Sequence, residues 1–409
     1  MTTLDDVRPL DATDPLAGFR ERFSIPDGLI YLDGNSLGAL PKATSGRVEA
    51  VVQREWGEDL IRAWNSHDWI SAPRRLGNKI ARLIGADPGE VIAGESTSVN
   101  IFKALCAALQ LAPERSVILS ETGNFPTDAY MMEGLAALSG GRIRQVLVER
   151  DAIDATLTTD VAALLLTHTH YKSGQLHDMK ALTARAHEMG IAVIWDLSHS
   201  AGAMQVELND CQADFAVGCG YKYLNGGPGA PAFLFVAKRH QDRVFPVLSG
   251  WLGHARPFDF DDRYEPASGI DRFQCGTPAI IGLAALDCGL DIMLDADMAA
   301  IRAKSQSLGD LFIDLVEDRL DGFQLRSPRA AAGRGSQVSF AHEHGYAIMQ
   351  ALIERGVIGD FRAPDILRFG FTPLYVGYED VWNAVDILVD VMQSGVWQEP
   401  RFNIRSAVT

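Results

Sequence analysis

The sequence predicts an α/β protein: a mostly parallel central sheet flanked by helices, with a smaller α+β domain at the C-terminus. Three observations carry this. Seven short, near-continuous apolar runs lie between residues 90 and 237, and such runs mark strands buried on both faces. Amphipathic helix candidates fall between several of them, the alternation that builds parallel sheets. Beyond residue 280 the pattern changes to long helix candidates and isolated strands.

Residues 1–28 are polar and punctuated by proline, and are expected to drape over the surface. LIYLDG (29–34) reads as a short strand entering the glycine-containing loop NSLGALP. Residues 45–62 and 73–85 carry helical periodicity, with Pro73 at a suitable helix start. The seven runs follow: EVIAG (90–94), RSVILS (115–120), RQVLVE (144–149), AALLLT (162–167), IAVIWD (191–196), DFAVGC (214–219) and APAFLFVA (230–237). Helix candidates between them include 98–109 and 179–190. The last part gives helix candidates at 281–320 and 380–394, a strand at 337–342 and the segment ILRFGFTPLY (366–375). The expected division is an N-terminal segment (1–40) that packs with the small domain and lines the site, a large α/β domain (41–279) and a small domain (280–409).

A chain of 409 residues can bury a large core without a disulfide or metal staple. Its 47% hydrophobic and 22% charged content excludes disorder or a coiled coil for the bulk of it. The net charge of −16 repels phosphate backbones, which argues against nucleic acid, and no basic run suits an anionic membrane. No apolar stretch approaches the roughly 20 residues of a bilayer span. The acidic start, MTTLDDVRPLDATD, lacks the apolar region of a signal peptide. Five scattered cysteines show no metal spacing. They are expected to be mostly buried thiols in a reducing cytoplasm.

In open α/β sheets ligands collect at the carboxyl ends of strands, and the polar clusters fall there. GESTSVN (94–100) places Ser96, Thr97 and Ser98 where a strand opens into a helix. Hydroxyls, free N–H groups and the helix dipole make an anion site, though the same residues can serve as a plain cap. Phe125, in ETGNFPTDAY (121–130), could stack on a flat ring or staple the following helix. Asp196 ends the run IAVIWD, with His199 three residues on. A carboxylate there can hold a pyridinium N–H, and a histidine can orient it. Lys222 sits between Tyr221 and Tyr223, after an apolar run and before a glycine-rich turn. Desolvation beside apolar residues favours a neutral, nucleophilic amine. Together these are the parts of a pyridoxal phosphate (PLP) site: a Schiff-base lysine, an acid for the ring nitrogen, a helix N-terminus for the phosphate and an aromatic for the ring face.

Six motifs extend this reading: YLDGNSLG (31–38), NFPTDAY (124–130), DLSHSAG (196–202), GYKYLNGGPG (220–229), SGWLGH (249–254) and RFGFTPLY (368–375). With them the chain closely resembles the kynureninase family, a group of fold-type-I (aspartate-aminotransferase-like) PLP enzymes, from about residue 29 to 375. The resemblance implies that Lys222 carries the cofactor and shuttles protons. It implies that Asp196, supported by His199, pairs with the pyridinium nitrogen, that Phe125 packs on the ring, and that Asp128 lies near the ring's polar edge. Thr97, Ser98, Thr167 and Tyr221 fall at cofactor-contact positions. Trp251 and Thr277 match positions that reach the phosphate from the neighbouring subunit, which implies a homodimer with shared sites. Arg368 matches the clamp for the substrate α-carboxylate, and Asn35 and Ser36 belong to a loop lining the substrate side.

The implied activity is hydrolysis of L-kynurenine, with 3-hydroxykynurenine as a second substrate, in tryptophan catabolism or NAD precursor supply. Tyr221 is the candidate donor for the final protonation. Some relatives carry Asn where this chain has Thr277, and Thr suits kynurenine preference. The alternatives are another fold-type-I enzyme such as a cysteine desulfurase, which needs a reactive cysteine on a mobile loop, or a non-catalytic binder, which would be expected to lose Lys222 or Asp196.

Overall fold

The computed structural model describes residues 2–405, so Met1 and residues 406–409 of the expected terminal segments lie outside it. All seven apolar runs form one sheet. Its strands are β1 (Val91–Ala93), β2 (Val117–Glu121), β3 (Arg144–Val148), β4 (Val161–Thr167), β5 (Ala192–Asp196), β6 (Phe215–Gly218) and β7 (Phe233–Val236). The spatial order is β1-β7-β6-β5-β4-β2-β3. Strands β3, β2, β4, β5 and β6 are parallel to one another. Only β7 runs antiparallel, against both β1 and β6.

Six of the seven strands are buried on both faces because alternate residues serve two cores, whereas the edge strand β3 stays partly exposed. Leu164, Leu166, Val193, Trp195 and Ala216 face the core that contains helices Ala72–Leu83 and Met179–Glu188. Ala163, Leu165, Ile194, Phe215 and Val217 face the core that contains helix Thr97–Leu111. Each large apolar side chain so buried contributes roughly 1.5–3 kcal/mol against the entropy of ordering the chain. Two-sided burial is the reason these strands lack polar alternation.

The expected helix over 281–320 is two helices, Ile280–Asp295 and Met298–Arg319. The break falls at Asp297, whose carboxylate caps the second helix by accepting from the N–H groups of Ala299 and Ala300. A four-stranded antiparallel sheet follows, in which Gln337–Ala341 and Asp360–Arg362 flank Ile366–Gly370. Helix Tyr378–Ser394 closes this unit.

The N-terminal segment departs from the expected drape, since Leu4–Ala12 is a helix despite Pro9. The Asp11 carboxylate explains its anchorage: it accepts from the N–H groups of Tyr378 and Glu379 at 2.7 and 2.8 Å, at the start of helix Tyr378–Ser394. The covered side chains of Asp14 and Lys304 form an ion pair at 2.6 Å. The strand expected at 29–34 shrinks to Ile30–Tyr31, parallel to Val357–Ile358. It delivers the loop Asp33–Gly38 to the mouth of the large sheet. Of the five cysteines, all free thiols, Cys106 and Cys219 are buried, and Cys211, Cys275 and Cys288 are half-buried rather than buried as expected.

Candidate active site

Three strand ends and one loop build the site. Thr167 and Asp196 are register partners at the carboxyl ends of β4 and β5, so their side chains share one face of the sheet. Both are buried. Asp196 Oδ1 accepts from the Ser198 N–H at 2.8 Å and from the Ser198 hydroxyl at 2.6 Å. Asp128, buried in the first turn of helix Pro126–Leu138, accepts at Oδ2 from Asn124 Nδ2 (3.1 Å) and Thr167 Oγ1 (3.2 Å). Burial raises both carboxyls above the usual range, and the charge of Asp196 lifts Asp128 further. Two buried acids side by side favour a cation between them or a shared proton.

Lys222 follows β6 in a loop that closes on itself. Asn225 donates to the Lys222 carbonyl (2.9 Å) and Gly226 to that of Gly220 (2.9 Å). Asn225 takes a left-handed conformation (φ 55°) to make this turn. The Gly38 N–H donates to the Tyr221 carbonyl at 2.8 Å, so the N-terminal loop is stitched to the lysine loop. A Cβ on Gly38 would collide with the Lys222 carbonyl and with Asn225, which is why glycine ends NSLG.

The Lys222 ammonium is buried, 3.0 Å from His199 Nε2. Its nitrogen lies 5.9 Å from the Phe125 ring centroid and 5.6 Å from that of Tyr221. Phe125 keeps 41% of its surface exposed and meets Tyr171 edge-on at 5.3 Å. His199 Nδ1 faces Gln337 Oε1 at 3.1 Å, and Gln337 Nε2 donates to the Tyr171 carbonyl at 2.9 Å. That second bond sets the amide orientation, so Oε1 can only accept and the His199 proton sits on Nδ1. Nε2 is then the acceptor for Lys222. Burial holds His199 well below the usual histidine range, and the charge of Lys222 adds to this. Burial likewise holds the Tyr221 phenol above its ordinary range.

Arg368 forms a second group, on Ile366–Gly370 opposite Asp360. It is 1% exposed. Nε donates to Asp360 Oδ1 (2.8 Å), Nη2 to Asp360 Oδ2 and to Ser36 Oγ (2.9 Å), and Nη1 to the Tyr171 carbonyl (2.6 Å). With its amide turned over, Asn35 presents its oxygen to Nε and Nη2, at 2.8 and 3.1 Å. Tyr171 thus accepts from both Gln337 and Arg368, which links the lysine group to the arginine group.

The remaining sequence candidates lie around these groups. Thr97 and Ser98 occupy the first turn of Thr97–Leu111, whose cap Ser96 accepts from the Val99 N–H at 3.3 Å. Trp251 is 38% exposed, edge-on to Phe258. Thr277 lines a cleft with Glu95, Lys103 and Gly229. Neither Trp251 nor Thr277 joins the hydrogen bonds around Lys222 among the described residues. The sequence reading missed Asn124, Tyr171, Ser198, Gln337, Asp360 and Arg362. The spacing of Asn124 and Ser198 from the two acids could have flagged them. Gln337 meets His199 across 138 residues, which no local pattern signals.

The chain matches the family model "Kynureninase C-terminal domain" over residues 301–388 and that of the DegT/DnrJ/EryC1/StrS aminotransferase family over 55–211. It is 51% identical to a kynureninase of Pseudomonas fluorescens over 416 residues, covering 100% of both chains. It is 50% identical to a kynureninase of Burkholderia pseudomallei, again with 100% coverage of both. Among solved structures, a cysteine desulfurase from Thermococcus onnurineus NA1 superposes with a TM-score of 0.77 at 18% identity, covering 92% of this chain and 98% of that one. A cysteine desulfurase from Escherichia coli gives 0.77 at 21% identity, covering 93% and 98%. A C-DES variant with glycine covalently linked to its PLP cofactor gives 0.76 at 18%, covering 91% and 99%. Such distant structures establish the shared fold-type-I architecture, and the full-length identity separates its branches: the chain belongs to the kynureninase family.

Proposed function

We propose that the protein is a PLP-dependent hydrolase that cleaves the Cβ–Cγ bond of L-kynurenine to give anthranilate and L-alanine. The carrying observation is the full-length identity of about one half to kynureninases, over a chain that retains the complete Lys222–His199–Asp196 group.

The residues fit the cofactor. Asp196 Oδ2 has no hydrogen-bond partner among the described residues although the side chain is buried, as an acid awaiting a ring N–H would be. The open face of Phe125 beside the Lys222 ammonium suits a flat ring. When bound, PLP supplies an aldehyde for amines and an electron sink for the bonds at Cα. Lys222 would hold the cofactor at rest and take the Cα proton once the substrate amine replaces it. His199 accepts from the lysine and holds its amine beside the Phe125 and Tyr221 rings. Asp196 would keep the ring nitrogen protonated, with Asp128 beside it. The N-terminus of Thr97–Leu111, with Thr97 and Ser98, suits the phosphate. The Tyr221 phenol stays protonated at neutral pH and so can give a proton to Cβ. Arg368, held with Asn35 and Ser36, would place its charge at the α-carboxylate.

We further infer a homodimer in which Trp251 and Thr277 serve the partner's phosphate site. The exposed Trp251, Phe258 and Phe260 support an apolar contact there. The division at residues 40 and 280 and a reducing cytoplasmic setting for the five free thiols belong to the same reading. No described helix is long and apolar enough to cross a membrane. Thr277 favours kynurenine over 3-hydroxykynurenine.

The test is product analysis with purified protein and PLP. Anthranilate and alanine appearing one for one from L-kynurenine is the expected result. No aromatic product from either kynurenine, together with sulfide release from cysteine, would favour the desulfurase alternative.

A further inference from the structure

Arg368 is too well satisfied to grip a carboxylate alone. Bidentate recognition needs two parallel N–H donors. The Arg368 fork of Nε and Nη2 is already closed by Asp360 and Ser36, and the Tyr171 carbonyl takes one N–H of Nη1. A guanidinium has five N–H bonds, so a single Nη1 N–H remains free among the described residues. Displacing Asp360 would strand a buried carboxylate, which is costly.

Arg362 is the complement. It stands two residues from Asp360, and its side chain is 37% exposed. Its Nη2 donates to Asp360 Oδ2 at 2.7 Å and lies 3.4 Å from Ser36 Oγ. Its Nε is buried without a partner, and its Nη1 has none among the described residues. Its partners Asp360 and Ser36 are also partners of Arg368, which shares the Tyr171 carbonyl with Gln337 beside His199. The local charge agrees. Asp33, beside Asp360, is pushed up to about 7 by burial and by the Asp360 charge. Two arginines then face Asp360, held below the usual carboxylate range, and an Asp33 only about half ionised at neutral pH, so the corner carries a net positive charge.

We propose that Arg362 is a substrate-binding residue, taking the α-carboxylate jointly with the free N–H of Arg368 while Asp360 holds the two guanidinium groups side by side. This rests on the reading that the substrate is an aryl-keto amino acid with a free α-carboxylate.

The test uses Arg362→Gln and Arg362→Lys with two probes lacking the amine, 4-oxo-4-phenylbutanoate and its uncharged amide. Affinities are measured by calorimetry on the protein with and without PLP, beside kcat and KM for L-kynurenine. Wild type should prefer the acid over the amide. Arg362→Gln should lose that preference and raise KM by about tenfold or more with kcat held within about threefold, the signature of lost uniform binding. Arg362→Lys, which keeps the charge without the fork, should fall between. Equal affinity of wild type for acid and amide, or an unchanged acid preference and KM in Arg362→Gln, would overturn the proposal. Absence of anthranilate from wild type would instead overturn the kynurenine reading, and the acid–amide comparison would still judge Arg362.

Discussion

The Gln337 amide fixes the proton of His199: its oxygen lies 3.1 Å from Nδ1, which leaves Nε2 to accept from Lys222 at 3.0 Å. Gln337 lies on Gln337–Ala341 of the small sheet, whereas His199 and Lys222 follow strands of the large one. The tautomer of a histidine beside the lysine is thus set by the other half of the molecule.

Gln337→Glu should change that proton. A carboxylate facing Nδ1 stabilises the imidazolium, and His199 then no longer accepts from Lys222. The His199 pKa, read by nitrogen NMR on the PLP-free protein, should rise. The acid limb of the kcat/KM profile should move to higher pH with it, and kcat/KM near pH 7 should fall roughly tenfold or more. An unmoved His199 titration would show that Gln337 only packs.

Asp196→Asn keeps the shape of the buried side chain but removes the charge available to a ring nitrogen. PLP affinity should drop, and turnover should fall by about two to four orders of magnitude. Equilibrium dialysis of the cofactor and steady-state rates check this. Full activity with normal PLP affinity would remove Asp196 from its proposed role.

Asp33 should make the fold weaker as pH rises. Its carboxyl is raised to about 7 in the folded chain, so between its unfolded value near 4 and that pKa the folded state holds more protons than the unfolded state. The Asp33 contribution is therefore complete below pH ~4 and is lost as the pH climbs through about 7. Asp33→Asn should recover on the order of 2 kcal/mol above pH 7 and nothing near pH 4, read from urea melts at the two values. A gain that is equal at both would contradict the shift.

Gly38→Ala should destabilise by about 1–3 kcal/mol, because its methyl would meet the Lys222 carbonyl and Asn225 in a closed turn. A thermal melt gives the cost. The Gly38–Tyr221 backbone bond should be strained with it, so cofactor affinity should fall as well.

What the sequence disclosed and what it hid divide along physical lines. Six strands of the large sheet were legible because two-sided burial leaves unbroken apolar runs, as in AALLLT at β4, and the partly exposed edge strand β3 through the shorter run VLV. Asp196 was legible because it ends such a run and Lys222 because it follows one, whereas Thr167 came from the family resemblance alone. Helix Leu4–Ala12 was not, because its polar composition and Pro9 argue against it locally, and its hold comes from Asp11 capping a helix 367 residues away. The same holds for Gln337 and for the Asp360–Arg362–Arg368 corner: each side chain reads as an ordinary strand residue until the sheet pairs them. Long-range partners such as these leave no period or spacing to read.

The most direct measurement is chemical trapping of the cofactor. The PLP-loaded protein is reduced with borohydride, digested, and its peptides mapped for the phosphopyridoxyl label. The label should sit on Lys222 alone, and Lys222→Ala should lose both the label and the visible cofactor absorption. A label on another lysine, such as Lys103 or Lys172, with turnover intact in Lys222→Ala, would contradict the assignment of this site.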